Sequence, residues 1–327
     1  MPLPELAEEL GVHAVFVKDE SSRMGLPAFK ILGASWGTFR AIAAKTGLSL
    51  DAGLTELAHA AQALKMTLFA ATEGNHGRAV ARMGNILGVP TVICVPNHMD
   101  LETQQKIHNE GARVLVVQGD YDAAVAEASV QSTKVDGGVL VQDNAFDQYE
   151  QIPAWIVEGY STLLQEVEQQ LASQKLTATL VVTPIGVGSL GHAVVAHCKS
   201  DRRAVTVLTV EPATAACLHQ NLKAGQPYSI ETSNTIMSGM NCGTVSPISW
   251  PILCAGVDAS VTISDLECHR AVEYLVRHGV NAGPCGASAL AGLWKAAAVD
   301  PNALRLSKDS VIVLLSTEGR RNYRLPN

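Results

Sequence analysis

Lys30 lies between Ala28, Phe29, Ile31 and Leu32 in the stretch KDESSRMGLPAFKILGASWG, residues 18–37. Apolar neighbours strip water from an ammonium group, lower its pKa and favour the neutral amine. A neutral lysine amine forms a Schiff base with an aldehyde, and pyridoxal phosphate (PLP) is the usual partner. A lysine whose stem covers apolar surface while its head reaches water has the same flanks. Position 30 taken alone does not separate the two.

Four further stretches carry residues suited to chemistry, each after an apolar run. GVGSLG at 186–191 follows LVVTPI and precedes an Ala/Val-rich helix. Backbone N–H groups in a glycine turn, together with a helix N-terminus, bind anions. The same stretch is a formal GxGxxG, and Glu211 ends the next strand twenty residues after Gly191, so an NAD-dependent oxidoreductase reads from it as well. In TEGNHG at 72–77, the Asn75 amide can bond a ring hydroxyl or simply cap the helix that follows. Asp143, after an apolar strand, can move a proton or hold a substrate ammonium, or be a loop carboxylate. Ser316 and Thr317, after VIVLL, can meet a neutral ring nitrogen or form an ordinary turn.

Such loops need strands and helices behind them, and the composition supplies both. The 327 residues are 47% hydrophobic, 17% charged and only 5% aromatic, enough for two packed domains of tightly covered sheet. Net charge is −7 with no basic block, which argues against nucleic acid. No apolar run has the length of a membrane span. The acidic start MPLPELAEEL lacks a signal peptide's basic and apolar segments, so the expected location is cytoplasmic. Seven cysteines form no CxxC and ten histidines no HExxH, so neither a disulfide framework nor a metal site is expected.

Alternating apolar strands and helical periods predict parallel sheets covered on both faces. Strands are expected at 12–17, 67–71, 90–96, 113–118, 139–142, 179–184, 204–210 and 311–315. Helices are expected at 29–44, 51–65, within 71–88, and at 101–109, 120–132, 152–170, 190–198, 213–223, 265–278 and 287–298. The chain crosses between its two α/β blocks near 143–150, and in open parallel sheets ligands bind beyond the carboxyl ends of strands.

In sequence order, KDESSRMGLPAFKILGA, ATEGNHGRAVA, QDNAFDQYEQIPAWIVEGY, PIGVGSLGHAVV, VEPATAACL, TIMSGMNCGTVSPISWPIL, AGPCGASALAGL and LLSTEG resemble the diaminopropionate ammonia-lyase family. That family belongs to the tryptophan synthase β-like, fold-type II PLP enzymes. The resemblance runs from about Pro2 to Gly319 and outweighs a lone GxGxxG. It implies an α/β fold of two open parallel-sheet domains. These are a large PLP-binding domain (1–33 and 147–327) and a small mobile domain (34–146) that closes over substrate. A homodimer is implied too, as is α,β-elimination of 2,3-diaminopropionate to pyruvate and ammonia. Serine/threonine dehydration or β-replacement is the neighbouring chemistry.

By position, the resemblance implies Lys30 as the Schiff-base lysine and Asn75 as partner of the ring hydroxyl. Gly186, Val187, Gly188, Ser189 and Leu190 become the phosphate cradle, and Ser316 or Thr317 faces the pyridine nitrogen. Asp143 matches one of two family aspartates held to take the α-proton; Thr72, Glu73, Gly74 and His76 line the substrate side. Glu73 stands where the family has Asp. The extra methylene shifts the carboxylate by ~1.5 Å, and ~1 Å of misplacement can cost about a hundredfold in rate. Two carboxylates also favour a substrate with a second positive charge. The chain opens where members of the family have a few tens of residues behind them. Cys217 and Cys242 are the pair that could bridge.

Overall fold

The structure, a computed structural model, describes residues 1–200, 205–300 and 302–326. In chain order it begins α1 (Pro4–Leu10), β1 (Ala14–Asp19), α2 (Lys30–Thr46), α3 (Leu54–Ala63), β2 (Thr67–Ala71), α4 (Asn75–Leu87) and β3 (Thr91–Pro96). Next come α5 (Leu101–Asn109), β4 (Arg113–Val117), α6 (Tyr121–Lys134), β5 (Gly138–Leu140), α7 (Gln151–Ala172), β6 (Leu180–Pro184) and α8 (Ser189–Cys198). The remainder is β7 (Thr206–Pro212), α9 (Cys217–Ala224), α10 (Trp250–Gly256), β8 (Ala259–Ile263), α11 (Asp265–Arg277), α12 (Pro284–Val299) and β9 (Val311–Ser316). The chain forms two compact units, Met1–Phe29 with Tyr160–Asn327, and Lys30–Gly159.

The first unit holds a five-stranded sheet in the order β1-β9-β6-β7-β8, and the second a four-stranded sheet in the order β4-β3-β2-β5. Every strand pair in both is parallel. In β3, β6, β7 and β9 every residue is buried, which is why these strands read as predominantly apolar runs. Each buried Val, Leu or Ile contributes about 1.5–3 kcal/mol from removing its surface from water.

Lys30–Gly33 and the start of α7 group with the second unit because α2 and α7 pack closely. A Cβ on Gly37 would stand 2.6 Å from Ile156 Cγ1, and one on Gly159 2.5 Å from the Leu32 carbonyl oxygen.

Several boundaries differ from the sequence expectation. The helix expected over 51–65 starts at Leu54, after a turn whose Gly53 is the N-cap. That expected from 213 starts at Cys217, because Ala213–Ala216 turn to bring the helix end onto Glu211. The strand expected over 139–142 stops at Leu140. The expected strand start at Ala204 lies outside the described residues. α1, α10 and β8 are additional elements; β8 is a half-exposed edge strand, ASVTI.

Within the first unit, the segment leading towards position 30 is tied to the end of β9. Glu20 N–H donates to Ser316 O at 2.9 Å, Phe29 N–H to Thr317 O at 3.2 Å and Gly319 N–H to Pro27 O at 2.8 Å. The Arg23 guanidinium joins Glu20 (2.6 Å) to Glu166 (2.6 Å), and Lys18 adds a 2.5 Å bond to Glu166. Buried charges need such partners.

Candidate active site

In the second unit, Lys30 is the first residue of α2 and its ammonium donates to Asp143 Oδ2. Ala28, Phe29, Ile31 and Leu32 are all buried, as the apolar flanks imply. The ammonium itself, however, meets a carboxylate. Asp143 is 3% exposed. Burial pushes its pKa up, but the nearby His76 and Lys30 charges and the Lys30 hydrogen bond outweigh it and hold the carboxyl down at about 2.

The turn at 72–77 is folded by Thr72, whose Oγ1 accepts from Gly74 N–H (2.8 Å) and Gly77 N–H (3.0 Å). Gly74 has φ +147°, a conformation that favours glycine. A Cβ on Gly77 would come within 2.4 Å of Thr72 Cγ2. Gly74 holds the N-cap position of α4, with no side-chain cap bond, and Asn75 is the first helical residue. The capping role open to Asn75 in the sequence is therefore not the one it takes.

His76 Nε2 bonds Val141 O at 2.8 Å. A carbonyl can only accept, so Nε2 carries a proton. Nδ1 lies 3.8 Å from Asp143 Oδ2 and has no hydrogen-bond partner. Burial keeps this imidazole's pKa down, against the pull of Asp143. Glu73 turns towards His98, with Oε1 and Nε2 3.6 Å apart; burial raises its pKa, and His98 opposes the rise.

Sequence reasoning missed the residues behind Asp143. Gln142 Oε1 accepts from Ala71 N–H at 2.9 Å, while Nε2 donates to Tyr121 O–H at 2.7 Å and approaches Asp143 Oδ1 at 3.5 Å. Tyr149 O–H accepts from Gln142 N–H at 2.9 Å and donates to Leu140 O at 2.8 Å. The only available signal is a buried-type polar residue at the end of an apolar strand; its partners lie too far along the chain to be inferred.

In the first unit, the turn after β6 enters α8 through Gly188, which has φ +97° and makes no side-chain cap bond. Cβ atoms here would collide, at 2.9 Å from Leu253 Cδ1 for Gly188 and at 3.2 Å from Gly239 O for Gly186. The first-turn N–H groups of α8 are thus presented by bare backbone, the arrangement that holds a phosphate. Ser316 Oγ, at the end of β9, is buried and has no partner. Glu211 accepts from Leu218 N–H (2.8 Å) and His219 N–H (2.7 Å), capping α9. It is committed to that helix, and the dinucleotide reading loses its ribose acceptor. Cys217 and Cys242 form no disulfide. Among the described residues, no cluster of three or more His, Cys, Asp or Glu could hold a metal ion. Nor is any helix long and apolar enough to cross a membrane.

A model of the family described as pyridoxal-phosphate dependent enzyme matches residues 1–318. Diaminopropionate ammonia-lyase of Escherichia coli K12 is 32% identical over 331 residues, covering 97% of this chain and 83% of the relative. The Salmonella typhimurium LT2 enzyme of the same name is 35% identical over 277 residues, covering 80% and 67%. The crystal structure of the Escherichia coli enzyme in complex with an aminoacrylate-PLP azomethine reaction intermediate superposes with a TM-score of 0.85 at 31% identity, covering 97% and 83%. A lysine on a carboxylate, a bare-backbone anion turn and matches along nearly the full length agree: the chain belongs to the fold-type II, pyridoxal-phosphate dependent enzymes, in the diaminopropionate ammonia-lyase family.

Proposed function

We propose that this protein eliminates ammonia from 2,3-diaminopropionate, yielding pyruvate and a second ammonia after hydrolysis. The observation that carries the reading is Lys30 on the buried Asp143: an amine for the cofactor aldehyde beside a carboxylate kept ionised to take a proton. Bound PLP supplies the aldehyde and the electron sink for the charge left when the α-proton departs.

Two features of the chain fit that group, the bare turn at 186–190 and the orphaned Ser316 hydroxyl. Gly186, Val187, Gly188, Ser189 and Leu190 hold the phosphate in this reading, so the cofactor-holding role falls to the first unit. Asn75 turns its amide to the ring hydroxyl. Ser316 is preferred over Thr317 for the pyridine nitrogen, because a buried hydroxyl without a partner gains most from one.

Lys30 holds the cofactor until substrate displaces it. Asp143, ionised throughout the neutral range, receives the α-proton, and the amine of Lys30 returns to release product. The β-amine leaves as ammonia and so must carry its proton beforehand. An ammonium at that carbon is matched by the negative charges of Asp143 and Glu73, with Thr72, Gly74 and His76 shaping the same side. This is why a diamino acid is favoured over serine or threonine. A cytoplasmic homodimer belongs to the same proposal, and a light-scattering mass of two chains tests the second half of it.

Pyruvate-coupled assays with both enantiomers of diaminopropionate, serine and threonine test the substrate. We expect diaminopropionate to give the highest kcat/KM, with two ammonia released per pyruvate. Protein that carries PLP but turns over serine or threonine faster would make the chain a dehydratase. Borohydride reduction and peptide mapping are expected to leave a pyridoxyl group on Lys30.

A further inference from the structure

The strand that delivers Asp143 leaves its sheet one hydrogen bond early. β2 and β5 are parallel and in register as Thr67 with Gly138, Leu68 with Val139 and Phe69 with Leu140. Just past that pairing, Val141 N–H still donates to Phe69 O at 2.7 Å. In a parallel ladder, the next bond in this register runs from Ala71 N–H to Val141 O. Neither group makes it. Ala71 N–H goes instead to Gln142 Oε1 at 2.9 Å, and Val141 O accepts from His76 Nε2 at 2.8 Å.

Two side chains therefore stand where one backbone bond belongs, and the strand can diverge with both polar groups satisfied. Buried backbone groups left without partners would cost too much for that divergence to persist. Gln142 is fully buried and its amide is engaged on every side: Ala71 N–H, Tyr121 O–H, and Asp143 Oδ1 at 3.5 Å.

We infer that Gln142 is a positioning residue for Asp143: by replacing the terminal ladder bond between the two strands, its side chain sets the angle at which the Asp143 carboxylate is presented. This deepens the functional reading above and rests on it, since it presumes that Asp143 takes the α-proton. The groups facing that carboxylate are Lys30, His76 and Gln142, with Tyr149 bonded to the Gln142 and Leu140 backbone behind it. Gln142 touches neither reacting atoms nor cofactor in this scheme; it acts only through its neighbour.

The test uses the PLP-loaded enzyme and three variants, with kcat, KM, cofactor absorbance, the pH profile of kcat and the isotope effect of α-deuterated diaminopropionate as readouts. Gln142→Met removes every bond of the amide at nearly constant volume. It is expected to lower kcat by about tenfold to a hundredfold, the cost of roughly 1 Å of misplacement. KM and bound PLP should stay within about twofold, and the isotope effect should rise because proton transfer becomes limiting. Gln142→Glu keeps an acceptor for Ala71 but brings a second carboxylate beside Asp143. It is expected to move the acid limb of the profile up by about one pH unit or more.

Gln142→Met turning over with the wild-type rate and isotope effect would overturn the inference, as would loss of bound PLP in proportion to activity. Should Gln142→Met fail to fold, Gln142→Glu decides alone: wild-type kcat and isotope effect overturn the inference, and a lowered kcat with a raised isotope effect and retained PLP supports it. Asp143→Asn separates the two layers. If it keeps wild-type kcat, the proton-acceptor reading falls, and this inference with it. If it is inactive while both Gln142 variants behave as wild type, only the positioning role falls.

Discussion

The two units carry their candidate functional residues in opposite materials. Around Lys30 and Asp143, the second unit uses charged and amide side chains, each fixed by a named bond: Lys30 on Asp143, His76 on Val141 O, Gln142 on Ala71. At 186–190 the first unit uses backbone, with glycines where a Cβ would strike Leu253 or Gly239. The contrast teaches a division of labour. A phosphate has constant charge and shape, so fixed N–H groups suffice. A proton that must move needs groups whose protonation can change.

Substitutions on the two sides should therefore fail differently. Lys30→Ala is expected to have the largest effect, lowering turnover by roughly a thousandfold or more by removing both covalent anchor and acid–base amine. Borohydride should then leave no pyridoxyl group in the peptide that contains position 30. Asp143→Asn should reduce kcat by roughly a hundredfold to ten-thousandfold while PLP absorbance is kept; loss of PLP instead would erase the contrast. Gly188→Ala should do the reverse. With φ +97° and Leu253 Cδ1 2.9 Å from the new methyl group, we expect about 1–3 kcal/mol of strain. Weaker PLP retention, with kcat at saturating PLP nearly unchanged, is the sign to look for in a cofactor titration.

The halves should also differ in the sign of their response to pH. Asp143 is held down at about 2 in the folded chain, its burial outweighed by His76 and Lys30. A carboxyl released from the fold titrates near about 3.9. Its stabilisation is present above the unfolded value and is lost as pH falls towards 2. In urea titrations, the wild type should lose more stability than Asp143→Asn between about pH 5 and 2. Glu211 runs the other way: burial, against two backbone bonds, raises its pKa from 4.5 to about 7. The folded chain then keeps a proton that the unfolded chain gives up, so stability declines as pH rises through that interval and levels off above it. Glu211→Gln should flatten that slope, the smallest effect of the set.

Legibility in the sequence followed burial. The runs LVVTP, TVICVP and VIVLLS are buried at every residue, and each reads as a strand to within a residue. β8 escaped because ASVTI is half-exposed at a sheet edge, where no continuous apolar run is required. α1 is a seven-residue helix entered through Pro4, too short for a helical period. Within the site, Lys30, Asp143 and the glycine turn stand out by residue type and neighbours. Gln142 does not, because its role depends on the register between Ala71 and Val141, residues joined only through the sheet. The strand expected through 142 stops short for the same reason: Ala71 N–H goes to the Gln142 side chain instead of Val141 O.

The stitching of residues 20–28 to the end of β9 has a consequence for length changes. Three backbone bonds, at Glu20, Pro27 and Phe29, and the Ala28–Glu318 bridge pin the two ends of that segment, and the chain runs from Phe29 straight into Lys30. An insertion or deletion of one amino acid between Pro27 and Lys30 would slide the amine by one rung, about 3.3–3.6 Å, unless it looped out. Libraries that vary loop size at this place should recover only parental-length clones, while the exposed turn at 225–228 tolerates many sizes.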